Sequence, residues 1–195
     1  AWVGGVNYKY FQYDHVGQGA RQVGSTFKPF VYATAIEQLG MSPCDSIIDS
    51  YFTMPKGKWG IDADWSPKNS DGNYRGTITL QKALANSVNT VSAKLIDRVG
   101  PQAVVDMVKE LGVTSNIPVQ PSIALGAVDI TVEQMVGAMS TFANQGVYVK
   151  PTFIIKIEDK PIDNEADLFE VLEGFKPGDR IRITVNRVEF SPSPL

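Results

Sequence analysis

Two side chains near the N-terminus have the types and the spacing for nucleophilic catalysis. They stand in the tetrapeptide Ser25-Thr-Phe-Lys28. A serine hydroxyl is a poor nucleophile at neutral pH, so an enzyme that uses one places a base beside it. In a helix, residues three positions apart are neighbours on one face. The pattern predicts a serine nucleophile with a lysine base, and its alternative is a capping serine followed by a solvated lysine.

The residues after Lys28 predict the helix that holds this pair. Pro29 suits a first helical turn, because its ring fixes φ near the helical value and its missing N–H is not needed there. Residues 30–39 continue in helix-compatible types, and Gly40 is a natural stop. Ser25 is therefore expected at the start of a helix.

A second motif, Ser87-Val-Asn89, lies farther along the chain. Penicillin-recognising acyl-enzymes carry Ser-x-x-Lys, then Ser-x-Asn, then Lys-Thr-Gly. The first two of these elements occur here once each and in that order. Their order favours the catalytic interpretation of Ser25 over the capping one.

Residues 1–159 resemble the transpeptidase domain of class A penicillin-binding proteins. The resemblance implies an α+β fold with a mainly helical core, serine acyl transfer in peptidoglycan cross-linking, and a location at the periplasmic face of the bacterial inner membrane. Beyond the two motifs it rests on further segments, among them Arg21-Gln22, Lys28-Pro-Phe-Val-Tyr32, Trp65-Ser-Pro-Lys-Asn69, Pro121-Ser-Ile-Ala-Leu-Gly126 and Thr141-Phe-Ala-Asn144.

The resemblance also implies a role for each motif residue. Ser25 attacks the carbonyl of a D-Ala-D-Ala stem peptide, or of a β-lactam, and becomes acylated. Lys28 accepts the proton, which requires a neutral amine and hence a lowered pKa. Ser87 relays a proton to the leaving amine, and Asn89 binds the amide backbone of the substrate. Neither a cofactor nor a metal is expected.

The third element, Lys-Thr/Ser-Gly, does not occur in this sequence. The nearest string, Lys176-Pro-Gly178, is expected to be a plain turn, because proline has neither a hydroxyl nor an N–H to offer a substrate. In the family, the strand that carries this element supplies an oxyanion donor. Loss of one such donor typically costs ~10²–10³ in rate, so we expect impaired turnover by this chain.

Residues 160–195 resemble the last third of a PDZ domain of the kind attached to HtrA-type proteases. Asn164 can cap a helix, and Ile181, Ile183 and Val185 alternate with polar residues as in a strand. The expected organisation is a partial transpeptidase domain, 1–159, followed by a PDZ-like helix and strand that packs on the core and pairs with the strand at 153–157. A different class of function stays open, a non-catalytic chimeric or truncated scaffold with a PDZ-like tail.

Other site types are disfavoured. A chymotrypsin-like protease needs a histidine base and a Gly-x-Ser-Gly-Gly loop, whereas His15 is the only histidine and the loop is missing. His15 and the single cysteine, Cys44, provide too few ligands for a structural zinc. Four loop carboxylates are expected to be solvated turn residues, namely Asp49, Asp62, Asp64 and Asp71.

Composition is that of a globular chain, with 195 residues, 43% hydrophobic and 20% charged. The net charge of −3 gives no basic surface for nucleic acid. No apolar run approaches the ~20 residues of a membrane span. A loop-rich binding region is expected over 41–78 and a strand over 147–158. Helices are expected over 80–85, 89–99, 101–111 and 131–144. The last of these helices is expected to begin with a Thr131–Gln134 capping box.

Overall fold

The structure is a computed structural model that describes residues 9–151, 154–163, 165–176 and 178–185. Two compact units form, Ala1–Val149 and Lys150–Leu195. This division falls before the expected boundary after Asp159. The first unit is mainly helical and the second combines a sheet with a helix, as the α+β expectation requires. The expected cap Asn164 and the proline of the expected turn, Pro177, lie outside the described residues.

Five α-helices are described in the first unit. They are α1 (Lys28–Leu39), α2 (Leu80–Ala85), α3 (Asn89–Val99), α4 (Pro101–Glu110) and α5 (Val132–Ala143). Their ends follow local chemistry: Gly40 closes α1 with a left-handed φ of 62°, and Gly100 separates α3 from α4 with a φ of 85°. Glycine adopts such angles without the Cβ clash of other residues. The predicted helix boundaries are confirmed to within a residue or two.

The core of this unit forms around α1 and α3, which pack against each other. Phe27, Phe30 and Val31 are fully buried and belong to the same apolar cluster as Val91 and Leu95. Burying an aliphatic or aromatic side chain of this size contributes roughly 1.5–3 kcal/mol. The helix that carries the Ser-x-x-Lys motif is thus packed against the helix that begins at Asn89.

Two short antiparallel ribbons complete the first unit. In one, β1 (Arg21–Gln22) pairs with β4 (Asp129–Ile130), and in the other β2 (Ser46–Asp49) pairs with β3 (Gly76–Thr79). The expected loop region over 41–78 therefore consists of a ribbon and the long excursion between its strands. That excursion contains a single bridge, between Met54 and Trp65, and a 3₁₀ turn at Lys58–Gly60.

Helix α5 has half of the expected capping box. Thr131 Oγ1 accepts a hydrogen bond from the Gln134 backbone N–H at 3.3 Å. The Gln134 side chain instead accepts hydrogen bonds from Thr114 and Ser115 N–H, at 3.0 and 2.9 Å. It thereby fixes a neighbouring loop, so this part of the prediction is wrong.

The second unit has a three-stranded antiparallel sheet in the order β6-β5-β7. Its elements are β5 (Ile154–Ile157), β6 (Lys160–Pro161), α6 (Glu165–Leu172) and β7 (Ile183–Val185). Ile157 pairs with Ile183, which confirms the expected pairing of the C-terminal strand with the 153–157 segment within the described residues. The strand expected over 147–158 is shorter, beginning at Ile154.

This unit has a small apolar cluster of its own. Ile157, Ile162 and Val171 are buried, and Ile181 is among the partly buried residues packed against them. Ile183, by contrast, is 53% exposed. Of the alternating residues Ile181, Ile183 and Val185, only Ile181 is among those packed against this cluster.

Candidate active site

Ser25 lies in a tight 3₁₀ turn, Gly24–Phe27, directly before α1. Gly24 N–H donates to the Gly126 carbonyl at 3.1 Å, and Val23 N–H donates to the Val128 carbonyl at 3.0 Å. A Cβ on Gly126 would lie 1.8 Å from Gly24 O, so only glycine permits this close approach. The Ser25 side chain is exposed while its turn is fixed from behind, as a nucleophile that meets an incoming substrate requires.

Lys28 is the first residue of α1 and is 1% exposed. Its ammonium group donates to three oxygens: Ser87 O at 2.6 Å, Ser87 Oγ at 2.9 Å and Asn89 Oδ1 at 2.6 Å. An ammonium has three protons to donate. Every one of them is therefore directed at the Ser-x-Asn motif, and both sequence motifs meet in one site.

Ser87 connects the lysine to the exposed serine. Its hydroxyl donates to Ser25 Oγ at 3.0 Å while it accepts from Lys28 Nζ. Ser87 has a left-handed φ of 52°, a conformation that non-glycine residues adopt at a cost of about 1–3 kcal/mol. The turn between α2 and α3 imposes it, because Ser87 N–H donates to Leu84 O at 2.9 Å.

Burial lowers the pKa of Lys28 from 10.5 to about 8, because the charged ammonium loses its water. At pH 7 the neutral fraction rises from about 0.03% at the ordinary pKa to about 9%. The buried lysine is thus available as a base near neutrality, in the direction that the resemblance implied.

Asn89 is held on both sides of its side chain and at its backbone. Its Oδ1 accepts from Lys28, its Nδ2 donates to Lys68 O at 2.8 Å, and its N–H donates to Asn69 Oδ1 at 2.9 Å. The expected role of Asn89 toward a substrate amide stays a prediction.

Asp49 is not the solvated turn residue expected from the sequence. It is 1% exposed and accepts hydrogen bonds from Asn69 Nδ2 at 2.9 Å, Thr90 Oγ1 at 2.5 Å and Arg75 N–H at 2.9 Å. Burial alone would raise its pKa, but the hydrogen bonds from Thr90, Asn69 and Arg75 outweigh burial and hold the pKa of this carboxyl below its usual range.

Sequence reasoning missed Lys68 and Asn69 as the residues that hold Asn89. They belong to segments noted only as family-like, and nothing in their spacing indicates that the long excursion after β2 returns to the start of α3. In the second unit, Asp179 N–H donates to Lys176 O at 3.0 Å.

The site is of the Ser-x-x-Lys and Ser-x-Asn type, with an exposed serine, a buried lysine of lowered pKa and a serine hydroxyl between them. The family model described as "Penicillin binding protein transpeptidase domain" matches residues 7–177. The chain belongs to this family. The match extends past Asp159, the residue at which the resemblance is expected to end.

Curated relatives agree with this assignment. The chain is 37% identical to penicillin-binding protein 1A of Aquifex aeolicus over 194 residues, covering 96% of this chain and 26% of that protein. It is 39% identical to penicillin-binding protein 1A of Neisseria lactamica over 160 residues, covering 82% and 20%. The chain thus spans about a quarter or less of the length of these relatives.

Solved structures show the same fold. Penicillin-binding protein 1A from Haemophilus influenzae matches with a TM-score of 0.71 and 30% identity over 77% of this chain and 22% of that one. PonA1 from Mycobacterium tuberculosis, in complex with penicillin V, matches with a TM-score of 0.61 and 29% identity over 71% and 39%. Among the described residues, no helix has the length and apolar character needed to cross a bilayer.

Proposed function

We propose that this chain carries the nucleophile and base of a serine D-Ala-D-Ala transpeptidase, which cross-links peptidoglycan stem peptides and is acylated by β-lactams. The observation that carries the proposal is the continuous set of hydrogen bonds from Lys28 Nζ through Ser87 Oγ to Ser25 Oγ, at 2.9 and 3.0 Å. It gives the nucleophile a route to a base whose pKa is about 8.

Acylation then follows from the geometry. When Lys28 is neutral, the two hydrogen bonds at Ser87 reverse, so that Ser25 donates to Ser87 and Ser87 donates to Lys28 Nζ. Ser25 Oγ attacks the carbonyl carbon as its proton passes along this path to Lys28, and the backbone N–H of Ser25 stabilises the developing oxyanion. The carbon–nitrogen bond breaks, and Ser87 returns the proton to the leaving nitrogen. An acceptor amine, or water, next attacks the ester and releases Ser25 with the same proton path reversed.

Asn89 and Ser87 serve both the base and the ligand in this proposal. Asn89 Oδ1 takes one lysine proton, and the second N–H of its amide group can donate to a substrate carbonyl, since its Nδ2 has two protons and Lys68 O takes one. Once Lys28 has taken up the proton, it donates again to Ser87 Oγ, and Ser87 gives its own hydroxyl proton to the leaving nitrogen.

A β-lactam and a stem peptide place different demands on this chain. Ring strain assists opening of a β-lactam, whereas a peptide depends on full oxyanion and carboxylate binding, which the missing Lys-Thr/Ser-Gly element would supply. We expect slow β-lactam acylation of Ser25 and no measurable D-Ala release by these 195 residues. The natural location proposed for this activity is the periplasmic side of the bacterial inner membrane, where stem peptides lie.

Labelling tests the acyl-enzyme directly. The protein is incubated with a fluorescent penicillin, digested, and the adduct is located by mass spectrometry, alongside D-Ala release from a stem-peptide substrate. Ser25→Ala should abolish labelling, whereas Ser46→Ala, at an exposed position of β2, should retain it. Label on another residue, or label that persists in Ser25→Ala, would defeat the assignment, and rapid D-Ala release would show that the third element is less necessary than argued.

We also propose that residues 160–195 form a PDZ-like helix and strand after a transpeptidase domain of residues 1–159. The support is α6 followed by β7, with β7 paired to β5 over a small apolar cluster. The non-catalytic scaffold alternative predicts a folded protein that takes up no penicillin label, so the same experiment separates it from the enzyme.

A further inference from the structure

Helix α3 begins without a side-chain cap from its own N-terminal residues. The residue at the N-cap position is Val88, which has no oxygen to accept from the first free N–H groups. Asn69, about twenty positions earlier, accepts from them instead: its Oδ1 receives Asn89 N–H at 2.9 Å and Thr90 N–H at 3.2 Å. The start of the helix that carries Asn89 is therefore capped from a distant loop.

The other end of the same amide is bound to a buried charge. Asn69 Nδ2 donates to Asp49 Oδ1 at 2.9 Å and to Asn73 O at 2.8 Å. Two donated and two accepted hydrogen bonds use the full capacity of a side-chain amide. Asn69 is only 6% exposed, so it cannot exchange these partners for bulk water without opening the site.

Asp49 provides a rigid anchor for this amide. Its second oxygen accepts from Arg75 N–H at 2.9 Å and lies 3.5 Å from Arg75 Nη1, while Thr90 Oγ1 binds the first. A buried carboxylate with several charge-assisted hydrogen bonds resists displacement. Asn69 is thus held at one end by β2 and its neighbours and at the other by the first turn of α3.

We infer that Asn69 is a positioning residue for the proton-transfer site. By fixing Asn89 N–H, it fixes the place of Asn89 Oδ1, which lies 2.6 Å from Lys28 Nζ. Lys68 O, the adjacent backbone acceptor, holds the other atom of the Asn89 side-chain amide at 2.8 Å. The excursion between β2 and β3 therefore sets the geometry around Lys28. The catalytic consequence rests on the proposed function above, whereas the capping contact does not.

The closing experiment compares two variants that both remove a hydrogen bond from Asp49. Asn69→Ala removes the cap on Asn89 N–H, whereas Thr90→Val is similar in shape and leaves that cap intact. Misplacement of catalytic groups by about 1 Å costs roughly 10²-fold. We expect Asn69→Ala to lower the second-order rate of penicillin acylation by roughly 10- to 100-fold. Thr90→Val should retain the wild-type rate within about threefold. Each variant is assayed at the same interval below its own melting temperature. Equal losses in both variants, or no loss in Asn69→Ala, would overturn the inference.

Two NMR measurements keep the test independent of activity. Hydrogen exchange of the Asn89 and Thr90 amides should be slow in wild type and in Thr90→Val and at least tenfold faster in Asn69→Ala. If Asn69→Ala does not fold, a hydrogen-bond scalar coupling from Asn89 ¹⁵N to the Asn69 side-chain carbonyl ¹³C in the wild-type protein decides, and its absence overturns the inference. If the wild type takes up no penicillin, the proposed function fails, while the exchange and coupling data still judge the capping role of Asn69.

Discussion

The pKa of Lys28 makes the most informative prediction. Burial lowers it to about 8, so the fraction of neutral base at pH 7 is about 300 times that of an ordinary lysine. If the neutral amine accepts the proton from Ser25 by way of Ser87, the acylation rate should rise about tenfold per pH unit below pH 8 and level off above it.

The perturbation is Lys28→Arg together with a pH series. Arginine keeps the positive charge but cannot release a proton in this range. Loss of a general base typically costs 10²–10⁴ in rate, and the larger guanidinium must also fit a site that leaves Lys28 only 1% exposed. We therefore expect acylation to fall by at least about 10²-fold.

The assay is the second-order rate of labelling by a fluorescent penicillin between pH 6 and 9.5, corrected for hydrolysis of the reagent. Lys109→Arg, at an exposed position of α4, is the matched control and should follow the wild-type profile. A flat profile, a midpoint near the ordinary lysine value, or a wild-type rate in Lys28→Arg would refute the assignment of Lys28 as the base. Circular dichroism and melting of Lys28→Arg separate loss of the base from loss of the fold.

Four further predictions concern stability. Because the folded pKa of Lys28 lies below its unfolded value, the unfolded chain binds more protons between about pH 8 and 10.5, so the contribution of Lys28 to stability should rise with pH across that window, and a denaturant titration in which the pH dependence of Lys28→Arg matches wild type would contradict this. Gly126→Ala should lower the melting temperature and slow acylation together, because its Cβ would meet Gly24 O, and wild-type values of both would be evidence against the tight approach. Asp49→Ala should destabilise by about 2–6 kcal/mol, since the buried donors Thr90 Oγ1 and Asn69 Nδ2 lose their acceptor at about 1–3 kcal/mol each, and an unchanged urea midpoint would disprove that role. Deletion of 161–195 should expose Ile157 and cause aggregation, whereas a fragment that remains monomeric and equally stable would show that the tail is an independent appendage.

Local chemistry explains why the helices could be predicted. Gly40 and Gly100 end their helices through backbone angles that only glycine adopts easily, and Thr131 caps α5 with its own hydroxyl. The partner of the Gln134 side chain was beyond such reasoning, because it lies about twenty residues away on a loop that only the fold brings near.

The same distinction holds in the active site. The Ser-x-x-Lys spacing and the helix signals around it predicted Ser25 at a helix start with Lys28 beside it, since these depend on residues close in sequence. Ser87 and Asn89 were assigned to the same site by the resemblance of the Ser-x-Asn motif to the family. Their chemistry was decided by the tertiary structure.

The lowered pKa of Lys28 comes from its burial in the folded protein. Asp49, expected to be a solvated loop carboxylate, is instead a buried anchor, because its hydrogen-bond partners lie 20 to 41 positions away in the sequence. Desolvation and long-range hydrogen bonds depend on which residues meet in space. A sequence read residue by residue does not contain that information.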